Sequence, residues 1–152
     1  WKLDELKKRA RRSGSSNIET HIIDLPTEAS AQAGSPEAIK RFENIADRLL
    51  LDVPCSGLGV LRRNPDAKWK LDLEFIEKVK LLQQKILNDY SVMLKKGGMI
   101  VYSTCSILPL ENEKQIEIFL AERKNEFELL EQKTILPSGG FDGFFMARIK
   151  KK

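Results

Sequence analysis

Apolar residues along the chain form two compact runs separated by a longer segment with helical spacing. The runs at 49–53 and 99–103 predict two strands buried on both faces, as in a parallel sheet. Between them, apolar residues recur every three or four positions, at Ile76, Val79, Leu82, Ile86, Tyr90 and Met93. This spacing predicts an amphipathic helix over 71–94, and the Gly97-Gly98 pair that follows is typical of a helix end.

The segment before the first apolar run mixes short elements with a loop. Residues 1–10 predict a helix, and residues 18–23 predict a short strand that ends at Asp24. A loop rich in Ala, Ser and Gly follows at 26–35, and a Ser-Pro pair at its end is typical of a helix start.

The segment after the second run completes an alternation of strands and helices. A helix is predicted after Pro109, and strands are predicted at 127–130 and 143–149. This order predicts an open α/β sheet with right-handed crossovers. The last connection is too short for a helical crossover, so the final two strands are expected to pair antiparallel at one edge of the sheet.

Composition narrows the class of protein further. The chain has 152 residues, 26 Lys and Arg against 22 Asp and Glu, and a formal net charge of +4, which suits one globular domain. It has no apolar stretch of ~20 residues and no signal segment, so we expect a cytoplasmic protein that does not span a membrane. Two cysteines and one histidine make neither a disulfide scaffold nor a four-ligand zinc site. Clustered basic residues fit a polyanionic partner, although a solvated face explains each cluster equally well.

Candidate chemistry lies where the two apolar runs end. Asp52 and Cys55 follow the first run, and Cys105 follows the second. Ligands of open α/β sheets bind at the carboxyl ends of strands, so both thiols are expected to face one crevice. Three explanations remain open: cysteines as small core residues, a redox pair without the usual C-x-x-C spacing, and covalent catalysis by a thiolate.

Four collinear motifs resemble those of one enzyme family. Residues 52–59 (DVPCSGLG) and 62–69 (RRNPDAKW) are similar to the D-x-P-C-S-G-x-G and R-R-x-P-D-x-K-W elements of RNA cytosine-5 methyltransferases of the Sun/Fmu (NOL/NOP) family. Residues 101–106 (VYSTCS), with Glu-Asn at 111–112, resemble the T-C-S element of the family, and 142–145 (DGFF) resemble its closing strand. The resemblance extends over nearly the whole chain.

The resemblance implies a Rossmann-like class I methyltransferase sheet, mostly parallel with an antiparallel final strand. It implies S-adenosylmethionine-dependent methylation of carbon 5 of cytosine in RNA, most often ribosomal RNA. By similarity, Cys105 is the nucleophile that bonds to carbon 6 of the cytosine, and Cys55 assists product release. Asp52 is implied to lie beside the cofactor and the base, and Asp24 near the adenosine part of the cofactor.

The chemistry and the charge pattern agree with this implication. Carbon 5 of cytosine becomes nucleophilic only after a thiolate adds to carbon 6, and cysteine is both a soft nucleophile and a good leaving group. Asp52 is expected to hydrogen-bond the edge of the base, which must be unstacked to enter the site. Arg62, Arg63 and Lys68 are the expected RNA-binding residues, and Trp69 is expected to be a packing residue.

Part of the family pattern is missing. The chain lacks the Gly-rich strand-to-helix turn of the cofactor site and the acidic residue after it. We therefore expect 1–152 to be the carboxyl-terminal portion of a single methyltransferase domain without its first two strands. Such a portion should bind cofactor weakly and be inactive alone. The open edge beside 49–51 should pair with 18–23 or with another molecule, a route to self-association.

A second function from another class is a non-catalytic RNA-binding module on the same fold. The two thiols, Cys55 and Cys105, favour the enzyme, because a binding module has no need of both.

Overall fold

The computed structural model describes residues 2–21 and 39–152, which belong to two compact units, 1–38 and 39–152. In the first unit, helix α1 (Lys2–Arg12) confirms the predicted helix. Its first turn is acidic and its last turn basic, which suits the helix dipole. The strand expected at 18–23 is wrong over its described part, because residues 15–21 have no regular secondary structure. The rest of that prediction, with Asp24, lies outside the described residues.

The second unit contains a four-stranded mixed sheet. Its strands are β1 (Ala46–Asp52), β2 (Leu94–Thr104), β3 (Phe127–Ile135) and β4 (Phe144–Lys151). Their order is β1-β2-β4-β3, with β1 parallel to β2 and β4 antiparallel to both of its neighbours. The predicted α/β sheet with an antiparallel pair at one edge is thereby confirmed.

In the described part of this unit, the sheet is accompanied by the α-helices α2 (Ala67–Lys70), α3 (Leu73–Ser91) and α4 (Glu113–Glu122), and residues 39–40 are also helical. Helix α3 is the crossover between β1 and β2. It begins at Leu73 because Asp72 caps it, its carboxylate accepting a hydrogen bond from the Phe75 N–H at 2.6 Å. No helix in the described part of the chain has the length and apolar character needed to cross a bilayer.

The predicted helix end at Gly97 and Gly98 is wrong. Helix α3 ends at Ser91, and both glycines lie inside β2. The pairing register jumps there, because Ala46 of β1 faces Leu94 while Arg48 faces Met99. Gly97 has φ 79°, the left-handed conformation in which glycine is favoured, so the pair forms an irregularity in the strand.

The core lies where the helices pack on the sheet. Its buried residues are Leu51, Val53, Ile86, Leu87, Leu94, Ile100, Tyr102, Ile116, Phe119, Phe127, Phe145, Ala147 and Ile149. They come from all four strands, from α3 and α4, and from the loop after β1. The core therefore holds the carboxyl ends of β1 and β2 at fixed positions.

Strand β1 is less buried than its apolar sequence predicts. Leu51 is 6% exposed whereas its neighbour Leu50 is 70% exposed. The strand thus alternates between a core face and an open face, and burial on both faces is wrong for β1. Among residues 39–152, its only strand partner is β2. The strand that was expected to pair with it is not formed over 18–21, and 22–23 lie outside the described residues.

Candidate active site

The structure brings the two cysteines of the chain together. Cys55 lies in the loop after β1, and Cys105 directly follows β2. Because the two strands are parallel neighbours, with Asp52 paired to Ser103, both loops leave the same end of the sheet. The two Sγ atoms are 3.0 Å apart, and both residues are half-buried. A ligand of this edge can therefore contact both thiols at once.

The surroundings of Cys55 favour its neutral form. Burial, followed by the side-chain hydrogen bond with Cys105, raises the pKa of the Cys55 thiol to about 12. A backbone hydrogen bond from Gly57 opposes this rise without cancelling it. At neutral pH Cys55 is thus a protonated thiol that can donate or carry a proton, and it is a poor nucleophile.

Asp52 lies on the solvent side of the same edge. It is the last residue of β1 and is exposed. Its carboxylate is therefore available to a ligand that enters beside the thiols. Asp24, the second residue that the resemblance places near the cofactor, lies outside the described residues.

A buried cluster of polar side chains lies behind the thiols. The Glu111 carboxylate accepts hydrogen bonds from the Ser56 N–H at 2.7 Å and from the Ser56 hydroxyl at 2.5 Å. The Ser106 hydroxyl donates to the same carboxylate, and Gln83 Nε2 lies 3.3 Å from it. All four residues are at most 7% exposed. Ser56 and Ser106 directly follow the two cysteines, so this cluster joins both cysteine-bearing segments.

A second buried contact secures the segment of Cys105. The Thr104 hydroxyl donates to Asn112 Oδ1 at 2.6 Å, and Asn112 Nδ2 donates to the Ser106 carbonyl at 3.0 Å. Glu111 and Asn112 belong to the region that resembles the family motif, but the resemblance assigned a role to neither of them. An acidic residue and an amide shortly after Thr-Cys-Ser were the only sequence signal for this cluster.

Three backbone segments meet at Gly59. Its N–H donates to the Cys105 carbonyl at 2.9 Å, and its own carbonyl accepts from the Gly143 N–H at 2.7 Å. A Cβ at this position would lie 2.0 Å from the Gly143 oxygen and 2.7 Å from the Cys105 oxygen. Only glycine fits this approach, which links the Cys55 loop, the Cys105 loop and the segment before β4.

The predicted RNA-binding arginines are exposed and contact the segment before β4. Arg62 donates to the Gly140 carbonyl at 2.8 Å, and Arg63 forms an ion pair with Asp142 at 2.5 Å. Both contacts tie the loop after Cys55 to the segment that Gly59 also touches. The arginines therefore lie at the rim of the same edge of the sheet.

Lys68 and Trp69 form a separate exposed pair on α2. The Lys68 ammonium lies 4.6 Å from the centre of the Trp69 ring, a cation–π contact. Trp69 is 80% exposed, so its predicted packing role is wrong. A flat aromatic ring held next to a cation is a surface on which a nucleobase can stack.

No described group of His, Cys, Asp and Glu side chains is arranged to hold a metal ion. The same edge of the sheet carries two thiols, the exposed Asp52 carboxylate and a basic rim.

A helix-connected pair of parallel strands, with thiols at their carboxyl ends and an antiparallel pair at the far edge, places the chain among Rossmann-like α/β proteins. The family described as 16S rRNA methyltransferase RsmB/F matches residues 1–150. The chain belongs to this family, and the resemblance to the Sun/Fmu methyltransferases is confirmed.

Individual relatives agree with this assignment. The chain is 39% identical over 167 aligned residues to a probable ribosomal RNA small subunit methyltransferase B of Synechocystis, covering 99% of this chain and 35% of the relative. It is 46% identical to the ribosomal RNA small subunit methyltransferase B of Yersinia pseudotuberculosis, covering 90% of this chain and 34% of the relative. The chain thus spans about a third of the length of these relatives.

A solved structure confirms the fold. The crystal structure of a methyltransferase homologue from Pyrococcus horikoshii superposes with a TM-score of 0.76 at 25% identity, covering 99% of this chain and 50% of the other.

Proposed function

We propose that this chain carries the two-cysteine centre of an S-adenosylmethionine-dependent RNA methyltransferase that modifies carbon 5 of cytosine, with ribosomal RNA as the substrate. The observation that supports this proposal is the 3.0 Å separation of the Cys55 and Cys105 sulfur atoms at the carboxyl ends of neighbouring parallel strands. Family membership and rRNA methyltransferase relatives support RNA methylation in general. The preference for carbon 5 of cytosine is part of the proposal.

The proposed chemistry divides two roles between the thiols. The Cys105 sulfur adds to carbon 6 of the cytosine, which leaves electron density on carbon 5. Cys55 keeps its proton at neutral pH because its pKa is about 12, so it is a poor nucleophile. When the bond between the Cys105 sulfur and carbon 6 breaks, the neutral Cys55 thiol 3.0 Å away can donate its proton to the departing sulfur, while the proton on carbon 5 leaves to a separate base.

Asp52 is the described residue that fits both base and cofactor. Its exposed carboxylate at the end of β1 can accept a hydrogen bond from the cytosine edge or from S-adenosylmethionine. S-adenosylmethionine supplies the methyl group when it is bound. Asp24 is proposed as a further cofactor contact on the sequence resemblance alone. Ahead of β1 the only described glycine is Gly14, which follows helix α1 rather than a strand, so the described residues account for only part of a cofactor site.

The proposed RNA contacts are Arg62, Arg63 and Lys68. All three are exposed, and Lys68 lies over the equally exposed Trp69 ring. Cations of this kind bind phosphates with a strong dependence on salt, and Trp69 offers a stacking face for an unpaired base.

We further propose that residues 1–152 form the carboxyl-terminal part of one methyltransferase domain. The chain spans about a third of its relatives, and the outer edge of β1 has no partner strand among the described residues. A strand from outside this part of the chain, in the same molecule or in another, would satisfy that edge. The 152 residues alone should therefore bind S-adenosylmethionine more weakly than the full-length protein, as calorimetry can measure.

Covalent trapping tests the proposed chemistry. RNA containing 5-fluorocytosine is mixed with the full-length protein and S-adenosylmethionine, and adducts are detected on denaturing gels. The unmodified protein should form an adduct, because fluorine at carbon 5 cannot leave as a proton does. Cys105→Ala should form none, whereas Cys55→Ala should retain the adduct.

Two outcomes would contradict the assignment. An adduct that survives in Cys105→Ala would place the nucleophile elsewhere. Salt-sensitive RNA binding with no adduct from the unmodified protein would favour the non-catalytic RNA-binding module.

A further inference from the structure

Glu111 is a fully buried carboxylate that the proposed chemistry does not use. It is 0% exposed and lies in the loop between β2 and α4. Its side chain faces four donor groups, the Ser56 N–H, the Ser56 and Ser106 hydroxyls, and the Gln83 amide. None of these partners is a cation. Burying a carboxylate among neutral donors is unfavourable unless every donor is well placed, so its position is strongly determined.

The partners of Glu111 come from both cysteine-bearing segments. Ser56 directly follows Cys55, and Ser106 directly follows Cys105. The two serine hydroxyls lie 3.1 Å apart, and both donate to the same carboxylate oxygen. One side chain therefore fixes the position of each cysteine relative to the other.

Helix α3 adds a third attachment. Gln83 on this helix donates to the Pro54 carbonyl at 2.8 Å and also reaches the Glu111 carboxylate. The backbone of Glu111 is held as well, because its carbonyl accepts from the hydroxyl of the buried Tyr102 at 2.8 Å. Residues on both sides of Cys55 are therefore connected to the Glu111 carboxylate, Ser56 directly and Pro54 through Gln83.

We propose that Glu111 is a positioning residue that keeps the Cys55 and Cys105 sulfur atoms within reach of each other. It acts through Ser56 and Ser106 and touches neither sulfur atom. The use of this geometry in methyl transfer rests on the proposed function, but the geometric claim stands without it. The proposal concerns hydrogen-bond geometry rather than charge, and this distinction makes it testable.

Three variants distinguish the effect of losing the hydrogen bonds of Glu111 from the effects of losing its charge and of lowering the overall stability of the protein. Glu111→Gln keeps one oxygen for the Ser56 N–H and Gln83, and its amide group can donate to the two serine hydroxyls, which then act as acceptors. Glu111→Ala removes all four hydrogen bonds. Gln115→Ala is the matched control, since Gln115 is 1% exposed and hydrogen-bonds to Leu110 but to neither cysteine segment.

The readout is the equilibrium between the two thiols and glutathione. One oxidised glutathione takes two electrons from Cys55 and Cys105, which gives one protein disulfide, two reduced glutathiones and no net change in protons. The equilibrium constant measures how effectively the protein holds its sulfur atoms together. It is determined in the full-length protein by acid quenching, alkylation of free thiols and mass spectrometry, with thermal unfolding followed in parallel.

Glu111→Ala should lower this constant about tenfold or more, because each cysteine segment loses the hydrogen bonds that hold it in place. Glu111→Gln and Gln115→Ala should change it by less than about threefold. An effect in Gln115→Ala as large as that in Glu111→Ala would overturn the proposal in favour of general destabilisation. A folded Glu111→Ala protein with an unchanged constant would also overturn it. So would an unmodified protein that forms no Cys55–Cys105 disulfide, because the proximity itself would then be wrong.

Methyl transfer assays on the same variants test the proposed function separately from the positioning role of Glu111. In Glu111→Ala, kcat should fall while the KM for RNA is unchanged, and Glu111→Gln should restore kcat. If glutathione equilibria follow the expected order but no variant or unmodified protein transfers methyl groups, the positioning role stands and the proposed function fails.

Discussion

Replacing Gly59 with alanine should weaken the junction between the three segments around the thiols. The new Cβ would lie 2.0 Å from the Gly143 oxygen, 2.6 Å from the Gly143 carbonyl carbon and 2.7 Å from the Cys105 oxygen. All three are backbone atoms, so no flexible side chain can move aside. The backbone of at least one segment must shift, and the hydrogen bonds of Gly59 with Cys105 and Gly143 must lengthen or break.

The expected cost follows from these two effects. Overpacking that forces backbone movement costs roughly 1–3 kcal/mol. Losing one or both of the 2.9 Å and 2.7 Å backbone hydrogen bonds adds about 1 kcal/mol each. Gly59→Ala should therefore lower the free energy of unfolding by about 2–5 kcal/mol. Since the φ of Gly59 is not positive, this cost is steric rather than conformational.

Urea unfolding of Gly59→Ala against Gly139→Ala measures the effect. Gly139 is the matched control, because its φ is not positive and a Cβ there would meet only the Phe141 ring edge at 3.8 Å. Gly139→Ala should stay within about 0.5 kcal/mol of the unmodified protein. Equal stabilities for the two variants would refute the close approach of Gly59 to Gly143.

Three other predictions concern Cys55 and Lys68. Removing the Cys105 side chain should lower the pKa of Cys55 from about 12 towards 9.0, because the hydrogen bond and the charge interaction with Cys105 are both lost while burial remains. Iodoacetamide should then alkylate Cys55 in Cys105→Ala at lower pH than in the unmodified protein. The raised pKa also means that Cys55 stabilises the fold below about pH 9 and that this stability is lost as pH rises towards 12. Burial raises the pKa values of Tyr90 and Tyr102 as well, so the loss of stability measured by alkaline unfolding should be smaller in Cys55→Ala than in the unmodified protein, and equal losses would contradict the contribution of Cys55. Affinity for RNA falls with salt, and Lys68→Ala should make the slope of log affinity against log salt less negative by about 0.7. An unchanged slope would show that Lys68 does not contact an RNA phosphate.

The meeting of the two cysteines could be predicted from the sequence because it needs only local signals. Two apolar runs with a helix between them predict neighbouring parallel strands, and residues that follow such strands share one end of the sheet. The 3.0 Å distance between Cys55 and Cys105 agrees with that argument. Local apolar spacing likewise predicted helices α1 and α3, and the short connection between β3 and β4 predicted that these two strands pair antiparallel at the edge.

Other features depend on contacts that sequence patterns do not contain. Gly97 and Gly98 suit a helix end and a strand irregularity equally well, and the partner strand β1 decides between them. Leu50 is as apolar as Leu51, and only the packing shows that one is exposed and the other buried. Trp69 is exposed because α2 is a single turn that presents its ring to solvent beside Lys68.

The role of Glu111 was also out of reach of the sequence. An acidic residue in a loop is normally solvated, and nothing in its neighbours predicts complete burial. Its partners Ser56 and Gln83 lie 55 and 28 positions away, so the cluster exists only once the sheet and α3 have assembled.

The separation of the thiols along the chain makes them a reporter of folding. Cys55 and Cys105 are 50 positions apart, which corresponds to roughly 40 Å on average in a flexible coil. They meet only when β1, α3 and β2 have docked as one unit. The amount of Cys55–Cys105 disulfide formed with oxidised glutathione and acid-quenched at successive times during refolding would therefore date the formation of that unit without any introduced label.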